Sequence, residues 1–545
     1  MIISVITENS RSNRLQYTVD FVLRTLGYDF TFVRLGEKIP EKTLVLSYLD
    51  AEKSVQLEKY CSLHVFKSGQ LHALDELEKN INLFDWDGLF IPILGRQIIS
   101  LKKRGLRFKK SGGYFDSKGR SNWYIGFDLF ANVFYHLSRY EEKWRHFAEE
   151  TATDYSTSIL SRYQQLKVPV VDVLLEYFDR LIIKRASADG LILLKILNWP
   201  AAEEFGIALT HDVDLTRGVS FKERILVKGL GVLRSIAGDR EKNKQKNEEM
   251  NARDAVIWSY PQLISFYDEQ KWKSTFFFLT RMFEGMHIRY NIASKKFRNL
   301  LSELKTNGHE IGLHSSLRAF DKRGRYKDEK ERLESVISAI CVGLRQHYLR
   351  AKFPRLWKLA EHAGFSYDSS LSYNYQAGFR AGTSHPFTAY EYDEDKKLSI
   401  VEFSLLCFEN NLPMDDGAEE IISGLIAQVA RFHGIFVALW HPNNFLQEPY
   451  LKIWNYMIEK LKAQRIYVDT LSGHLQWYNG RSKLSVSAAS HKILIKNPAG
   501  LQNFSIQLIG DSKLKEANGA DVEVKPDNVL LIKTKNKQIT LTLSK

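Results

Sequence analysis

The sequence predicts an α/β protein in which a parallel sheet or barrel follows an α/β domain and precedes a small all-β module. Three observations predict this class. The chain has 545 residues, more than one ordinary core accommodates. Predicted strands alternate with helices of about 10–15 residues, as in βα units. After residue 478 only short strands recur, at intervals of about ten residues. We place the domains at residues 1–200, 201–478 and 479–545.

The first 200 residues alternate between strand and helix patterns. Ile2–Ile6 and Thr43–Leu49 are predicted strands, and Arg11–Leu26 is a predicted helix. A dense apolar stretch predicts another helix over 127–142. Because no glycine-rich phosphate loop and no acid pair in a catalytic context occurs here, we expect a structural or substrate-selecting domain.

The central region carries five apolar or β-branched runs that predict strands: Phe205–Leu209, Ser274–Leu279, His309–His314, Ile435–Trp440 and Arg465–Asp469. In parallel barrels, functional groups collect where strands end and loops begin. The polar residues at those strand ends are therefore the candidates for chemistry.

Residues 479–545 differ from the central region because their predicted elements are all short strands. Turn signals such as Asn-Pro, Asn-Gly and Pro-Asp-Asn separate short β-rich runs. The predicted strands cover 491–496, 504–509, 522–524, 529–533 and 538–543. We see no catalytic constellation in this module.

The composition is that of a soluble globular protein, with 44% hydrophobic and 26% charged residues. The first ten residues lack the basic region of a secretory signal, and no run of roughly 18 apolar residues predicts a membrane span. The three cysteines, Cys61, Cys341 and Cys407, are odd in number and far apart, which favours a reducing compartment. We therefore expect a cytoplasmic protein.

The formal net charge is +13, and basic residues concentrate between Arg217 and Arg253. Within that segment, 220–236 predicts a basic amphipathic helix with a capping-box pair, Ser220 and Glu223. Such a helix either lies peripherally on an anionic membrane or packs on its own domain. We expect no nucleic-acid partner.

Polar residues stand at the ends of three separate predicted strands. Asp212 and Asp214 follow Phe205–Leu209, and two carboxylates two residues apart share one side of an extended chain. Such a pair shares a cation or divides acid–base roles, although Asp-x-Asp also occurs in turns and calcium loops. His314 and His441 end two further strands. Because three separate predicted strands each end in such polar groups, the pattern favours a reaction centre.

These motifs, in order, resemble those of the polysaccharide deacetylases, carbohydrate esterase family 4. The resemblance rests on Thr210–Asp214, on Gly308–Ser316 and on Leu439–His441, and it spans roughly residues 203–475. It implies a distorted (β/α) barrel and removal of acetyl groups from amino sugars by metal-assisted hydrolysis. Further segments are similar to a bacterial branch in which this barrel follows an uncharacterised α/β domain: 134–142, 345–350, 363–371 and 378–387.

The resemblance also implies roles for individual residues. Asp212 corresponds to the general base, His441 to the general acid that protonates the leaving amine, and Arg350 to the arginine that orients the base. Asp214 and His314 correspond to ligands of a divalent metal, expected to be zinc. The family's second ligand histidine falls on Arg318, where an arginine repels a cation.

This departure leaves alternatives open. Without a metal, Arg318, Arg350 or Arg380 would hold a carboxylate-bearing sugar or stabilise an oxyanion, because a guanidinium is always charged and forked. His385, before Pro386, is either a ligand or acid, or a turn residue.

The expected function is hydrolysis of a carbon–nitrogen bond other than a peptide bond. The resemblance implies an N-acetyl group on an amino sugar of a cell-surface polysaccharide or of its lipid- or nucleotide-linked precursor. One alternative is a non-catalytic carbohydrate-binding or assembly protein with a degenerate barrel. Another is an ester or cyclic-amide hydrolase on the same barrel.

Overall fold

The computed structural model describes the whole chain except residues 1, 10, 41–42, 55–56, 58–59, 61, 97–113, 117–121, 144–157, 216–225, 228–229, 231–239, 281–289, 490 and 545. The basic segment 220–236 lies mostly outside the described residues, so its membrane contact stays a prediction. Within the described residues, no helix is both long and apolar enough to cross a membrane.

The amino-terminal region is built on a six-stranded sheet in the order β2-β1-β3-β4-β8-β7, with β5 and β6 forming a separate antiparallel hairpin. All pairs in the larger sheet are parallel except β7 with β8. The strands are β1 Ile3–Thr7, β2 Phe30–Arg34, β3 Leu44–Leu49, β4 Ser62–Phe66, β5 Ile81–Trp86, β6 Leu89–Leu94, β7 Tyr114–Asp116 and β8 Asn122–Ile125, with β9 Leu193–Ile196 ahead of the next domain.

Helices cover this sheet, and the predicted helix over 11–26 is observed as Asn13–Thr25. Its N-cap is Ser12, whose hydroxyl accepts from the backbone of Leu15. The other helices of the region are Ala51–Ser54, Leu129–Leu137, Ile159–Arg162 and Val170–Ala188, with 3-10 turns at Leu74–Lys79 and Tyr140–Lys143.

The central region forms a ten-stranded sheet in the order β15-β16-β14-β13-β12-β11-β10-β18-β17, with β19 also paired to β10. Every pair is parallel except β15 with β16. The strands are β10 Phe205–Val213, β11 Thr275–Phe278, β12 Glu310–Ser315, β13 Gly343–Gln346, β14 Tyr367–Asp368, β15 Phe387–Glu391, β16 Lys396–Glu402, β17 Cys407–Phe408, β18 Ile435–Leu439 and β19 Ile466–Val468. The mixed α/β class is thus confirmed, and the sheet suits a distorted barrel.

Helices between these strands cover the sheet, so that all nine residues of β10 are buried. The helices are Arg240–Ile257, Tyr260–Gln270, Lys295–Thr306, Arg323–Ile337, Arg355–His362, Gly417–Phe432, Tyr450–Lys462 and Leu471–Arg481. Short 3-10 turns lie at Pro200–Ala202, Leu317–Ala319, His347–Leu349, Glu409–Asn411 and Pro442–Asn444.

The carboxy-terminal module contains two antiparallel four-stranded sheets, β20-β21-β26-β23 and β24-β25-β22-β9. Its strands are β20 Ser485–Ala489, β21 Lys492–Lys496, β22 Phe504–Ile509, β23 Leu514–Asn518, β24 Asp521–Lys525, β25 Val529–Lys533 and β26 Gln538–Leu543, with a 3-10 turn at Pro526–Asn528. Strand β9, from ahead of the barrel, completes the second sheet. The module is therefore joined to the rest of the chain by hydrogen bonds as well as by its linker.

The loop over 378–387 docks the amino-terminal region onto the central sheet. Arg380 is buried there, and its Nη2 lies 3.0 Å from Oε1 of Glu142. Arg139 bonds the same carboxylate at 2.9 Å and donates to the Arg380 carbonyl. Asp172 accepts from the backbone and hydroxyl of Ser384, at 2.8 and 2.6 Å. Two of the segments noted in the sequence, 134–142 and 378–387, thus bind each other.

Candidate active site

The parallel strands bring polar residues together at one edge of the central sheet. Register places Thr210 of β10 opposite Leu439 of β18, so Asp212 and His441 each come two residues further along. Likewise His314 of β12 is paired with Arg345 of β13. The carboxyl ends of β10, β12, β13 and β18 therefore meet at a single centre.

Asp214, His314 and His347 form a cluster whose nitrogen and oxygen atoms lie within 4.8 Å of one another. Nε2 of His314 is 3.1 Å from Oδ1 of Asp214, and Nε2 of His347 is 3.5 Å from Oδ2. Two imidazoles and one carboxylate suit zinc and other first-row divalent metals. Asp214 and His314 are thus placed together as expected, and a residue absent from the sequence-based ligand set joins them.

His347 corrects the expectation about position 318. Arg318 lies on the exposed face of the 3-10 turn Leu317–Ala319, whereas His314 and His347 are buried. The cluster therefore takes its second histidine from the turn after β13. An arginine at 318 does not displace a ligand from this cluster.

The hydrogen bonding of His314 determines which of its nitrogens faces the cluster. Nδ1 lies 3.0 Å from the backbone carbonyl of Arg345, which only accepts, so Nδ1 carries the proton. Nε2 is then unprotonated in the neutral ring and points at Asp214. This arrangement, with the far nitrogen held by a carbonyl, is common among metal-binding histidines.

Unsatisfied polar atoms provide an independent test of a metal site. Among the described residues, the buried atoms without a hydrogen-bonding partner include Oδ1 of Asp212, Oδ1 of Asp214 and both ring nitrogens of His347. Buried polar atoms without partners are rare in proteins, and a cluster of them calls for an explanation. A cation bound by Asp214, His314 and His347 would satisfy the Asp214 oxygen and one His347 nitrogen, so these residues fit a divalent metal.

The charges in the cluster also act on Asp214. Burial raises the pKa of this carboxyl, but the neighbouring His347 and His314 outweigh burial, and the net pKa lies well below its ordinary value. Asp214 is therefore an anion at neutral pH.

Asp212 faces the same centre and has a guanidinium as an additional neighbour. Its Oδ2 is 3.6 Å from Nε2 of His314, and its Oδ1 is 3.5 Å from Nη1 of Arg345. Arg345 is fully buried and also donates to the hydroxyls of Thr210 and Ser369, at 3.2 and 2.9 Å. These bonds fix the guanidinium beside Asp212.

Arg345 therefore takes the place expected for Arg350. The guanidinium of Arg350 lies over the ring of Phe320, 4.2 Å from its centroid. Arg345 is the third residue of β13 and points into the barrel, whereas Arg350 follows the 3-10 turn.

His441 lies on the other side of Asp214 and is held by Glu409. Nδ1 of His441 is 2.5 Å from Oε1 of Glu409, and Nε2 is 3.5 Å from Oδ2 of Asp214. The same Glu409 oxygen accepts from the backbone of His441 and from Asn444. Burial lowers the pKa of His441, but the Glu409 charge and the bonds to Asp214 and Glu409 outweigh it and leave the pKa well raised.

Two sequence-based candidates lie away from this centre. Arg380 is engaged by Glu142 and by the carbonyl of Ser372, so its guanidinium serves the docking of the amino-terminal region. His385 is buried in the same loop, and burial, together with His433 and Arg481, lowers its pKa to about 3. This placement supports neither the substrate-holding role expected for Arg380 nor the ligand or acid role considered for His385.

The sequence-based interpretation missed three residues of the centre: His347, Arg345 and Glu409. His347 and Arg345 lie within the segment 345–350, which was singled out as a subtype signature. Arg345 lies in β13, which has only four residues and no apolar alternation, and His347 directly follows it, so strand periodicity revealed neither residue. Glu409 follows a two-residue strand for which the same reason holds.

Comparison with known proteins gave one family match and several structural ones. Residues 3–187 match the model of a family of unknown function (DUF7033). No curated protein matched the sequence.

Among solved structures, the chain is similar to the polysaccharide deacetylase Bc1974 from Bacillus cereus, with 13% identity, a TM-score of 0.27 and coverage of 49% of this chain and 91% of that one. It is similar to Puue allantoinase, with 10% identity, a TM-score of 0.35 and coverage of 52% and 92%. It is also similar to BA3943, a CE4 family pseudoenzyme from Bacillus anthracis, with 13% identity, a TM-score of 0.26 and coverage of 50% and 66%.

Proposed function

We propose that the central domain is a metal-dependent hydrolase that removes the N-acetyl group from an amino sugar. One observation carries the proposal: the Asp214–His314–His347 cluster is flanked by Asp212 on Arg345 and by His441 on Glu409. A cation site with two proton-transfer groups beside it is what hydrolysis of an amide requires. The motif resemblance supports the acetamide as the bond that is cleaved.

Each residue has a distinct task in this reaction. A divalent ion held by the cluster would polarise the acetyl oxygen and lower the pKa of a bound water. Asp212 accepts the proton of the attacking water, while Arg345 holds the carboxylate in place. His441 donates a proton to the departing nitrogen, and Glu409 stabilises the imidazolium before transfer. The products are acetate and the free amino sugar.

His347 bears on the non-catalytic alternative. That alternative rested on the loss of the second ligand histidine at position 318. With His347 in the cluster, three protein ligands are present, the number typical of catalytic zinc sites. A complete donor set therefore favours an enzyme over a degenerate binding barrel.

The substrate we propose is a carbohydrate, namely an amino sugar of a cell-surface polysaccharide or of its lipid- or nucleotide-linked precursor. Purified protein loaded with Zn²⁺ should release acetate from N-acetylated amino-sugar oligomers, and chelation followed by metal return should abolish and restore the release. O-acetylated sugars and cyclic amides serve as comparison substrates. Acetate release from O-acetyl sugars alone, or ring opening of a cyclic amide alone, would replace the N-deacetylase with another hydrolase.

A further inference from the structure

Tyr260 is a buried tyrosine whose hydroxyl has no partner among the described residues. It begins the helix Tyr260–Gln270 and is 1% exposed. A buried hydroxyl without a hydrogen bond costs about 1–3 kcal/mol. Such a group in a folded protein therefore calls for a ligand or another explanation.

Hydrogen bonds made by two neighbours of Tyr260 place it near the reaction centre. The preceding residue, Ser259, donates through its hydroxyl to the carbonyl of Pro442, which directly follows His441. Tyr290, which interacts electrostatically with Tyr260, donates to the carbonyl of Val213, the residue before Asp214, at 2.8 Å. Burial raises the pKa of Tyr260, and the charge of Asp214 raises it further. Tyr260 thus stays neutral and within electrostatic reach of Asp214.

Two other buried tyrosines of this region, Tyr290 and Tyr267, have hydroxyls that are hydrogen-bonded. Tyr290 also accepts from the backbone of Leu279 at 2.8 Å. Tyr267, on the same helix as Tyr260, lies 2.6 Å from Nε2 of His211. Nδ1 of His211 donates to the carbonyl of Trp440, so Nε2 accepts the Tyr267 proton. Of these three buried tyrosines, Tyr260 alone retains an unused donor.

We propose that the Tyr260 hydroxyl donates a hydrogen bond to the acyl oxygen of the group bound at this centre. The inference rests on the proposed function, in which that oxygen gains negative charge when water adds to the acetyl carbon. A fixed neutral donor then binds the charged state more strongly than the ground state.

Tyr260→Phe tests the inference because it removes only the hydroxyl. We expect kcat for acetate release to fall about 10- to 100-fold, with KM and zinc content nearly unchanged. The melting temperature should stay equal or rise, since an unsatisfied buried hydroxyl has been removed. The matched control is Tyr267→Phe, which removes the existing hydrogen bond to His211 and should lower the melting temperature. Wild-type kcat in Tyr260→Phe would overturn the inference.

A binding measurement separates this inference from the proposed reaction. Acetate, the expected product, is titrated calorimetrically into the zinc-loaded wild type and into both variants. We expect about 10-fold weaker binding in Tyr260→Phe and unchanged binding in Tyr267→Phe. If the wild type releases no acetate from any sugar yet shows this difference in binding, the donor stands and the deacetylase proposal fails. Equal affinity in wild type and Tyr260→Phe, or no acetate binding by either, overturns the role of Tyr260.

Discussion

Asp212 and Asp214 are separated by one residue but have different neighbours. Asp214 lies between two imidazoles, His314 and His347, whereas Asp212 has a guanidinium, Arg345, on one side. Because residues two apart share one face of a strand, both carboxylates reach the same centre. Their partners then divide the tasks, so that Asp214 suits metal binding and Asp212 suits proton transfer.

Asp212→Asn should abolish hydrolysis while leaving the metal in place. The amide keeps the shape of the side chain but cannot accept a proton from water, and loss of a general base costs about 10²–10⁴ in rate. Acetate release and elemental analysis of the same preparation check both parts. Retention of the wild-type rate would remove Asp212 from the mechanism.

His347→Ala and Arg318→Ala distinguish the two positions considered for the second histidine ligand. We expect His347→Ala to lose most of its bound zinc, because two protein ligands do not hold a firm site. Arg318→Ala should bind as much zinc as the wild type, since its exposed side chain lies outside the cluster. Zinc content after dialysis provides the measurement. Full zinc occupancy in His347→Ala would contradict the assignment.

At the scale of elements, the loop over 378–387 is a docking element. Gly378 shows why: a Cβ on this residue would lie 2.1 Å from the carbonyl oxygen of Leu166, so only glycine fits the contact. Around it, Arg380 and Asp172 make buried polar contacts across the same boundary. The two sequence signatures at 134–142 and 378–387 therefore serve assembly of the two regions.

Glu142→Gln should destabilise the protein strongly, because it leaves the guanidiniums of Arg139 and Arg380 buried with less compensating charge. Removing one partner of a buried ion pair typically costs about 3–5 kcal/mol. The control is Glu76→Gln, which breaks an exposed pair with Lys79 and should cost at most about 1 kcal/mol. Chemical denaturation measures both. If both variants lost an equally small amount of unfolding free energy, the buried ion pair would contribute little to stability.

His385→Asn should change how stability depends on pH. The pKa of His385 is about 3 in the folded protein and near 6.5 when unfolded. The stability that the neutral, buried His385 contributes is fully present above its unfolded pKa of about 6.5. This stability is lost as the pH falls from about 6.5 toward the folded pKa of about 3. The advantage of the wild type over His385→Asn should shrink by about 2–4 kcal/mol between pH 7 and pH 4.

The free energy of unfolding of both proteins, measured by denaturant titration at each pH, checks this expectation. A constant difference across that range would mean that His385 titrates normally in the fold. The activity of the variant serves as a second readout, because His385 lies outside the centre.

At the scale of the whole molecule, the carboxy-terminal module completes the fold. Strand β9 pairs with β22 over four residues, from Ile196 with Ile506 to Leu193 with Ile509. Buried residues of the module and of the barrel strands also form one core, including Phe504, Ile493, Ala208 and Val437. Removal of the module exposes apolar surface on the barrel.

A chain ending at residue 481 should therefore be less stable than the full protein or insoluble. Both the β9 pairing and the shared core are lost, and each exposed Å² of apolar surface costs about 25 cal/mol. Soluble yield and melting temperature of 1–481 against the full chain test this. An unchanged melting temperature would show that the module folds and acts independently.

The sequence by itself determined the elements whose patterns are long and apolar. The runs that form β1, β10 and β18 and the helix Asn13–Thr25 are regular enough to be recognised without tertiary context. Four of the polar residues at the centre, Asp212, Asp214, His314 and His441, were identifiable because they lie at or just beyond the carboxyl ends of predicted strands.

Tertiary structure alone decided which further residues join them. His347 and Glu409 follow strands of four and two residues, too short to carry a pattern, and only the parallel register brings their ends beside Asp214. It equally decided that Arg380 binds Glu142 rather than a substrate, since these residues lie 238 positions apart in the chain. Spacing along a chain predicts local neighbours, whereas contacts across a sheet depend on strand order and register, which no local pattern encodes.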